Sequence, residues 1–257
     1  MKNTCKEKML RGEKVVGTFF EMGGANAVEC LGLAGLDFLI VDTEHGPFDP
    51  ESTVDLVRAA HLRGITPLAR IQDSTRPSVL KMLDIGIQGL IVPSVQSADE
   101  VRSLVEYARY YPLGKRGVAF GREAGWGAAD FAAGSLESYF KICNRETMLI
   151  PQCETLGCLE QIEEIAALDG VDGIFIGPYD LSTALGCPGQ FQSPAFLQAV
   201  ERIVRACKAS GKFVTIYANN AAESRAYFER GFDGVAVATD TSHYIQAFRQ
   251  LLADIRA

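Results

Sequence analysis

No stretch of this 257-residue chain is apolar for the roughly 18 residues that a membrane-spanning helix needs. Nor does a run of signal-peptide length follow the charged start Met1-Lys2-Asn3-Thr4-Cys5-Lys6-Glu7-Lys8. A cytoplasmic protein with no membrane partner is expected. The seven cysteines are odd in number and form no C-x-x-C pair, which argues against a disulfide framework or a zinc site. Cys153 and Cys158 lack a second pair to complete a ligand set, and we read them as small packing residues. Positive charge is also scarce: the formal net charge is −7, and the 25 lysines and arginines are scattered, so the basic footprint of a nucleic-acid-binding surface is missing. No glycine-rich dinucleotide fingerprint occurs.

What is present is enough apolar material for a large core: 47% of residues are hydrophobic against 22% charged. This length suits one α/β barrel or two smaller domains, and no compositional break divides the chain, so residues 1–257 read as a single domain. Short β-branched or aromatic runs ending in Gly, Pro, Asp or Asn predict eight strands: Val15–Glu21, Phe38–Asp42, Thr66–Ile71, Gly89–Val95, Met148–Gln152, Gly173–Ile176, Phe213–Ala218 and Gly234–Ala238. Helical patterns alternate with them over Ala25–Leu33, Pro50–Arg63, Thr75–Leu83, Ser97–Arg109, Leu156–Leu168, Ser193–Ser210, Ala221–Arg230 and Thr241–Ile255. Eight such pairs predict a (β/α)8 TIM barrel, with a doubly wound sheet as the alternative. The connection Tyr110–Thr147 is far longer than an ordinary αβ loop and is expected to be functional or an interface, with an extra helix over roughly 135–144.

In a barrel the chemistry gathers at the C-terminal ends of the strands. Asp42-Thr43-Glu44-His45-Gly46-Pro47 leaves the buried run Phe38–Val41 there and places a histidine three residues after an aspartate. A carboxylate nearby can set the tautomer and basicity of such a histidine, making His45 a candidate base; for an isolated D-x-x-H local hydrogen bonding at a strand end is the commoner explanation, and it is the alignment of the other strand ends that favours the base. Arg70 ends an apolar strand. Its partner is either a substrate carboxylate or enolate, or a protein carboxylate such as Asp42 in a structural ion pair. Glu154 and Asp180, on neighbouring strand ends, can supply hard oxygen ligands to Mg²⁺ or Mn²⁺, or else cap the helices they precede. Gln152 projects to the same face as Glu154 and can bond an oxygenated ligand.

Two further absences narrow the chemistry. No lysine stands at a strand's C-terminal end, which disfavours a Schiff-base mechanism. The turns Ala218-Asn219-Asn220 and Thr239-Asp240-Thr241 lack the glycines that would cradle a phosphate.

Taken in order, Val41–Pro47, Ala69-Arg70-Ile71, Ile91-Val92-Pro93, Tyr111–Gly117, Gln152-Cys153-Glu154-Thr155 and Gly177-Pro178-Tyr179-Asp180-Leu181-Ser182 resemble the motifs of the class II pyruvate aldolases of the 4-hydroxy-2-oxoheptanedioate and 2-dehydro-3-deoxyglucarate type. The resemblance covers nearly the whole chain. It implies metal-dependent, reversible retro-aldol cleavage of a 4-hydroxy-2-oxo acid to pyruvate and an aldehyde, with Mg²⁺, Mn²⁺ or Co²⁺ as cofactor, in aromatic or sugar acid catabolism. It further implies that Glu154 and Asp180 bind the metal and that Gln152 with the backbone around Tyr179 holds the pyruvate moiety. His45 would be the base, Arg70 would steady the enolate, and Asp84 would raise the basicity of the histidine. Asp84 lies at the C-terminal end of its helix, on the opposite face from its own site, so a neighbouring subunit would have to deliver it. A homohexamer, a trimer of dimers with an exchanged C-terminal helix, is the assembly the resemblance implies. The chain departs from the commoner pattern at Thr43, at Gly46 and at Tyr179, where a smaller residue is usual. Oxaloacetate decarboxylation or a CoA-thioester lyase reaction through the same enolate, and a non-catalytic oxo-acid-binding barrel, are the alternatives.

Overall fold

The computed structural model describes residues 2–257. Its eight strands are β1 (Val15–Phe20), β2 (Phe38–Asp42), β3 (Thr66–Arg70), β4 (Gly89–Val92), β5 (Met148–Cys153), β6 (Gly173–Ile176), β7 (Phe213–Ala218) and β8 (Gly234–Thr239). All pair in parallel and in sequence order, and β8 closes on β1. The expected (β/α)8 barrel is therefore the observed one, and the doubly wound alternative is excluded by closure.

The pleat explains which residues reach the site. Along β2, Phe38 and Ile40 join the cluster that fills the barrel while Leu39 and Val41 pack outward. The same alternation buries Leu68 of β3 and Met148 and Ile150 of β5 inside. The next inward positions are Asp42, Arg70 and Gln152, so the residues that end these rows face the mouth. The opposite end of the interior is plugged by Cys5 and Met9 of α1 (Thr4–Leu10), capped by Asn3, whose Oδ1 accepts from the Lys6 amide at 2.9 Å. This helix was not expected, because its charged residues mask a two-residue apolar face.

Around the sheet run α2 (Ala25–Leu33), α3 (Pro50–Arg63), α4 (Arg76–Asp84) and α5 (Ala98–Ala108). The long connection that follows carries two short 3-10 turns, Arg122–Gly127 and Asp130–Ala132, and the anticipated extra helix as α6 (Leu136–Glu146). Tyr110, Ala124, Ala132, Tyr139 and Cys143 give this insertion a small core of its own. The helix expected over Leu156–Leu168 is broken in two at Gln161, giving α7 (Leu156–Glu160) and α8 (Ile162–Ala167). There the Gln161 side chain leaves the helical course to accept the Ala98 amide at 3.0 Å. A further short helix, α9 (Pro178–Ala184), opens with proline at its first position. Then come α10 (Pro194–Ala209), α11 (Ala221–Glu229) and α12 (Asp240–Arg256). No helix among the described residues is long and apolar enough to cross a membrane.

Candidate active site

Arg70 settles into a double ion pair. Its Nη2 lies 2.5 Å from Asp42 Oδ2 and its Nε 3.0 Å from Oδ1, and the Nε also lies 3.2 Å from Glu44 Oε2. Asp42 and Arg70 are register partners across β2 and β3, so the strand pairing itself fixes the fork-to-fork geometry. Asp42 is fully buried, and the guanidinium rests 4.8 Å from the Phe19 ring centroid. Burial alone would weaken the arginine's hold on its proton, but Asp42, Glu44 and Glu154 outweigh it and raise the pKa. The ion pair with Asp42 thus exists, and Arg70 still lines the cavity at the barrel mouth.

Asp42 does not touch the imidazole of His45. Its Oδ1 instead accepts the amides of Glu44 (3.1 Å) and His45 (3.3 Å), a local turn that holds the loop. Glu44 is the carboxylate nearest the ring, with Oε2 at 4.0 Å from Nε2, and the His45 side chain is largely exposed. Gly46 is required by space: an added Cβ would sit 2.2 Å from the Asp42 carbonyl oxygen. Asp84 lies far from His45 in sequence and on the other end of the barrel, where its Oδ1 accepts from Arg116 Nη2 at 2.8 Å.

Glu154 is buried, and its Oε1 accepts the Ser94 amide at 2.6 Å while Oε2 accepts from Gln152 Nε2. Ser94 adopts φ = 56°, a left-handed conformation rarely used by a non-glycine residue, and that turn aims its amide at the carboxylate. Helix capping does not explain Glu154, since Thr155 caps α7 through the Cys158 amide. Asp180 sits exposed in the first turn of α9, and among the described residues no donor reaches its carboxylate. The Glu154 pKa is raised, first by burial and then by the charges of Asp180 and Glu44, against the pull of the Ser94 and Gln152 hydrogen bonds. Glu44 is raised chiefly by burial as well, with Asp42 and Asp180 adding to it.

Gly177 makes room for this group: a Cβ there would meet Glu154 Oε2 at 2.4 Å and Gln152 Nε2 at 2.9 Å. The Gln152 Oε1 is buried and lacks a partner. Glu154 and Asp180, whose charges oppose one another, and the buried, unpartnered Gln152 amide oxygen supply hard oxygen donors. Such a set fits a divalent cation held by two carboxylates that keeps exchangeable positions, as Mg²⁺ commonly is. No cluster of three or more His, Cys, Asp or Glu in metal-binding arrangement is found among the described residues, so any cation here would rely on that two-carboxylate mode.

The cavity these residues face holds about 190 Å³ and is lined by Phe19, Glu21, Arg70, Gln152, Phe175, Gly177, Pro178, Tyr179, Asp180, Tyr217 and Thr239.

Residues 16–247 match the family model described as HpcH/HpaI aldolase/citrate lyase. The chain belongs to that family. A hydroxypyruvate/pyruvate aldolase of Cupriavidus necator is 33% identical over 99% of this chain and 93% of its own length. A 2-keto-3-deoxy-L-rhamnonate aldolase of Klebsiella pneumoniae is also 33% identical, over 98% and 93%. Among solved structures, an HpcH/HpaI aldolase/citrate lyase family protein of Burkholderia cenocepacia superposes with a TM-score of 0.90 at 30% identity, covering both chains fully. The family resemblance seen in the motifs is borne out, and with it the class: this HpcH/HpaI member is a carbon–carbon lyase of the aldolase type.

The structure brings Arg70, Gln152, Tyr179 and Asp180 to one mouth, with Asp42 and Glu154 bonded to Arg70 and Gln152 respectively, leaves the His45 side chain exposed beside Glu44, and pairs Asp84 with Arg116. Sequence reasoning overlooked Glu44, although it sits between Asp42 and His45 in the motif. It also gave no role to Phe19, Phe175 and Tyr217, whose inward positions follow from the period of two along their strands.

Proposed function

We propose that this chain catalyses the reversible, divalent-metal-dependent cleavage of a 4-hydroxy-2-oxo acid into pyruvate and an aldehyde. The observation that carries the proposal is the convergence of Glu154, Asp180 and the unpartnered Gln152 oxygen beside Arg70 at the barrel mouth. Glu154 and Asp180 would hold Mg²⁺, Mn²⁺ or Co²⁺, which when bound would act as a Lewis acid on the 2-oxo group. Gln152 and the backbone around Tyr179 would orient the pyruvate half. His45 would take the proton from the C4 hydroxyl. The C3–C4 bond then breaks, the aldehyde carbonyl forms at C4, and the electron pair passes to the three-carbon fragment. The Arg70 guanidinium would stabilise the enolate charge as it develops, and its two bonds to Asp42, which hold its orientation, support that reading. Protonation of the enolate carbon completes pyruvate.

Asp84 would serve the His45 of a neighbouring copy, and the assembly would be a homo-oligomer, a hexamer built as a trimer of dimers, with α12 exchanged between copies. Two features support exchange. On α12, Ile245, Phe248, Leu251 and Ile255 are at least 50% exposed on their own barrel. Beside its start lies a cavity of about 470 Å³ lined by Phe20, Met22, Ala27, Leu31, Leu36 and Tyr244 among others, an apolar seat for a helix.

The test is pyruvate release from 4-hydroxy-2-oxo acids after EDTA treatment and re-addition of each metal, in the wild type and in Glu154→Gln. Cleavage only with metal, lost in the variant, is expected. Full cleavage in EDTA would refute the metal assignment, and oxaloacetate decarboxylation without any aldol cleavage would refute the aldolase assignment.

A further inference from the structure

An aromatic row lines the cavity, beginning with Phe19, on which the Arg70 guanidinium rests. Phe175 meets Phe19 edge-on at 5.8 Å, Phe19 lies 6.0 Å from Tyr217, and Tyr217 lies 6.0 Å from Tyr179. Tyr179 in turn packs edge-on against Phe191 at 5.0 Å, and Phe191 against the buried Phe196 at 5.4 Å. The row runs from the barrel interior to its rim, and Tyr179 is the member at the mouth, half exposed.

Its phenol is held rather than free. The hydroxyl donates to Asn219 Oδ1 at 2.8 Å, and the Asn219 side-chain nitrogen donates to Glu223 Oε2 at 2.9 Å. Tyr179 therefore ties the first turn of α9 to the loop after β7 and stands across one side of a cavity whose volume is well under the roughly 300 Å³ of drug-sized pockets. The adjacent Asp180 and the facing Gln152 belong to the pyruvate half, which leaves the ring against whatever extends beyond C4.

We propose that the Tyr179 side chain is the specificity-determining wall of the aldehyde subsite, setting an upper limit on the length of the aldehyde tail and selecting short, uncharged aldehydes. This rests on the aldolase function proposed above. The surrounding charges agree: Glu21, Glu44, Glu154 and Asp180 face or border the cavity, and the cation that lines it, Arg70, is already paired twice. Among the described residues lining the cavity, no other cation is there to meet a tail ending in a carboxylate.

The experiment measures kcat/KM of the metal-loaded enzyme for condensation of pyruvate with acetaldehyde, propionaldehyde, butyraldehyde and pentanal, in the wild type, Tyr179→Ala, Tyr179→Phe and Asn219→Ala. The quantity read is the ratio between long and short aldehydes within each protein, from which the shared pyruvate half cancels. Wild-type selectivity should fall about tenfold per methylene once the wall is reached, the scale of single-methylene discrimination in a closed pocket. Tyr179→Ala should flatten that profile by at least tenfold at pentanal, Tyr179→Phe should keep it, and Asn219→Ala should relax it in part. Circular dichroism and gel filtration establish that each variant is folded and assembled. An unchanged profile in Tyr179→Ala overturns the assignment of the wall while leaving the aldolase intact. Complete lack of condensation by the wild type with every metal, with or without oxaloacetate decarboxylation, overturns both.

Discussion

Gly177→Ala isolates the geometry of the carboxylate site from its composition, because it removes no ligand and adds one methyl group. The backbone at Gly177 is extended (φ −89°), a conformation open to alanine, so no intrinsic strain arises. The whole effect comes from space. The new Cβ would lie 2.4 Å from Glu154 Oε2, and reaching an ordinary contact of about 3.4 Å requires a movement of about 1 Å. Glu154 has little freedom to retreat, being buried and fastened by the Ser94 amide on its far side. A misplacement of about 1 Å in a reacting constellation costs about a hundredfold in rate, equivalent to about 2.7 kcal/mol. Overpacking of one methyl costs stability by about 1–3 kcal/mol. We expect kcat/KM for aldol cleavage to fall about a hundredfold, metal affinity to weaken, and the protein to remain folded. The assays are steady-state pyruvate release, metal titration by calorimetry and a urea melt on the same preparations. Activity within threefold of wild type, with metal affinity unchanged, would refute the claim that Gly177 exists to admit the Glu154 carboxylate.

Other outcomes follow from the same geometry. Arg70→Lys keeps the charge but loses the two-pronged grip on Asp42, and should lower kcat more than it raises KM, by about 10²–10³-fold; a change confined to KM would contradict a role in charge stabilisation. Because burial and neighbouring charge raise the Glu154 pKa, protons should compete with metal already above the usual carboxylate range, so affinity measured by calorimetry should decline with falling pH before an ordinary carboxylate would titrate. Affinity that stays flat through the ordinary carboxylate range would exclude Glu154 as a ligand. Arg109, buried and bonded to Asp172, Gly170, Asn144 and Thr147, should cost about 3–5 kcal/mol when changed to Ala, read from urea denaturation; a loss under 1 kcal/mol would make that network incidental. If α12 is exchanged, Phe248→Asp should raise the dissociation constant of the assembly at least a hundredfold in sedimentation experiments, and an unchanged oligomer would remove α12 from the interface.

How much of this was legible beforehand depended on whether the signal was local. The bounds of β2, β6 and β7 could be read to the residue, since each is a short apolar run closed by polar or turn-forming residues, and inward alternation then carried Arg70, Gln152 and Glu154 to the mouth. Short helices were not legible. Neither α1 nor α9 completes enough turns to show a period, and the break falls at Gln161, whose side chain bonds the Ala98 amide, a partner 63 residues away. The pairing of Asp42 could not be chosen from sequence either. It was three residues from His45 and 28 from Arg70, and the strand register gave it to the distant residue while the turn used its remaining capacity on backbone amides. Glu44 was hidden for the related reason that a loop carboxylate shows its direction only once the loop is built.

The left-handed turn at Ser94 carries an implication for how this enzyme can be improved. A serine held at φ = 56° stores about 1–2 kcal/mol that glycine would release, so Ser94→Gly is a substitution that selection for heat resistance should find early. Yet the same constraint holds the amide that fixes Glu154, and a freer backbone would let that carboxylate wander. Thermal robustness and catalytic rate therefore meet in opposition at one backbone torsion, and variants evolved for the first should be screened at Ser94 before they are trusted for the second.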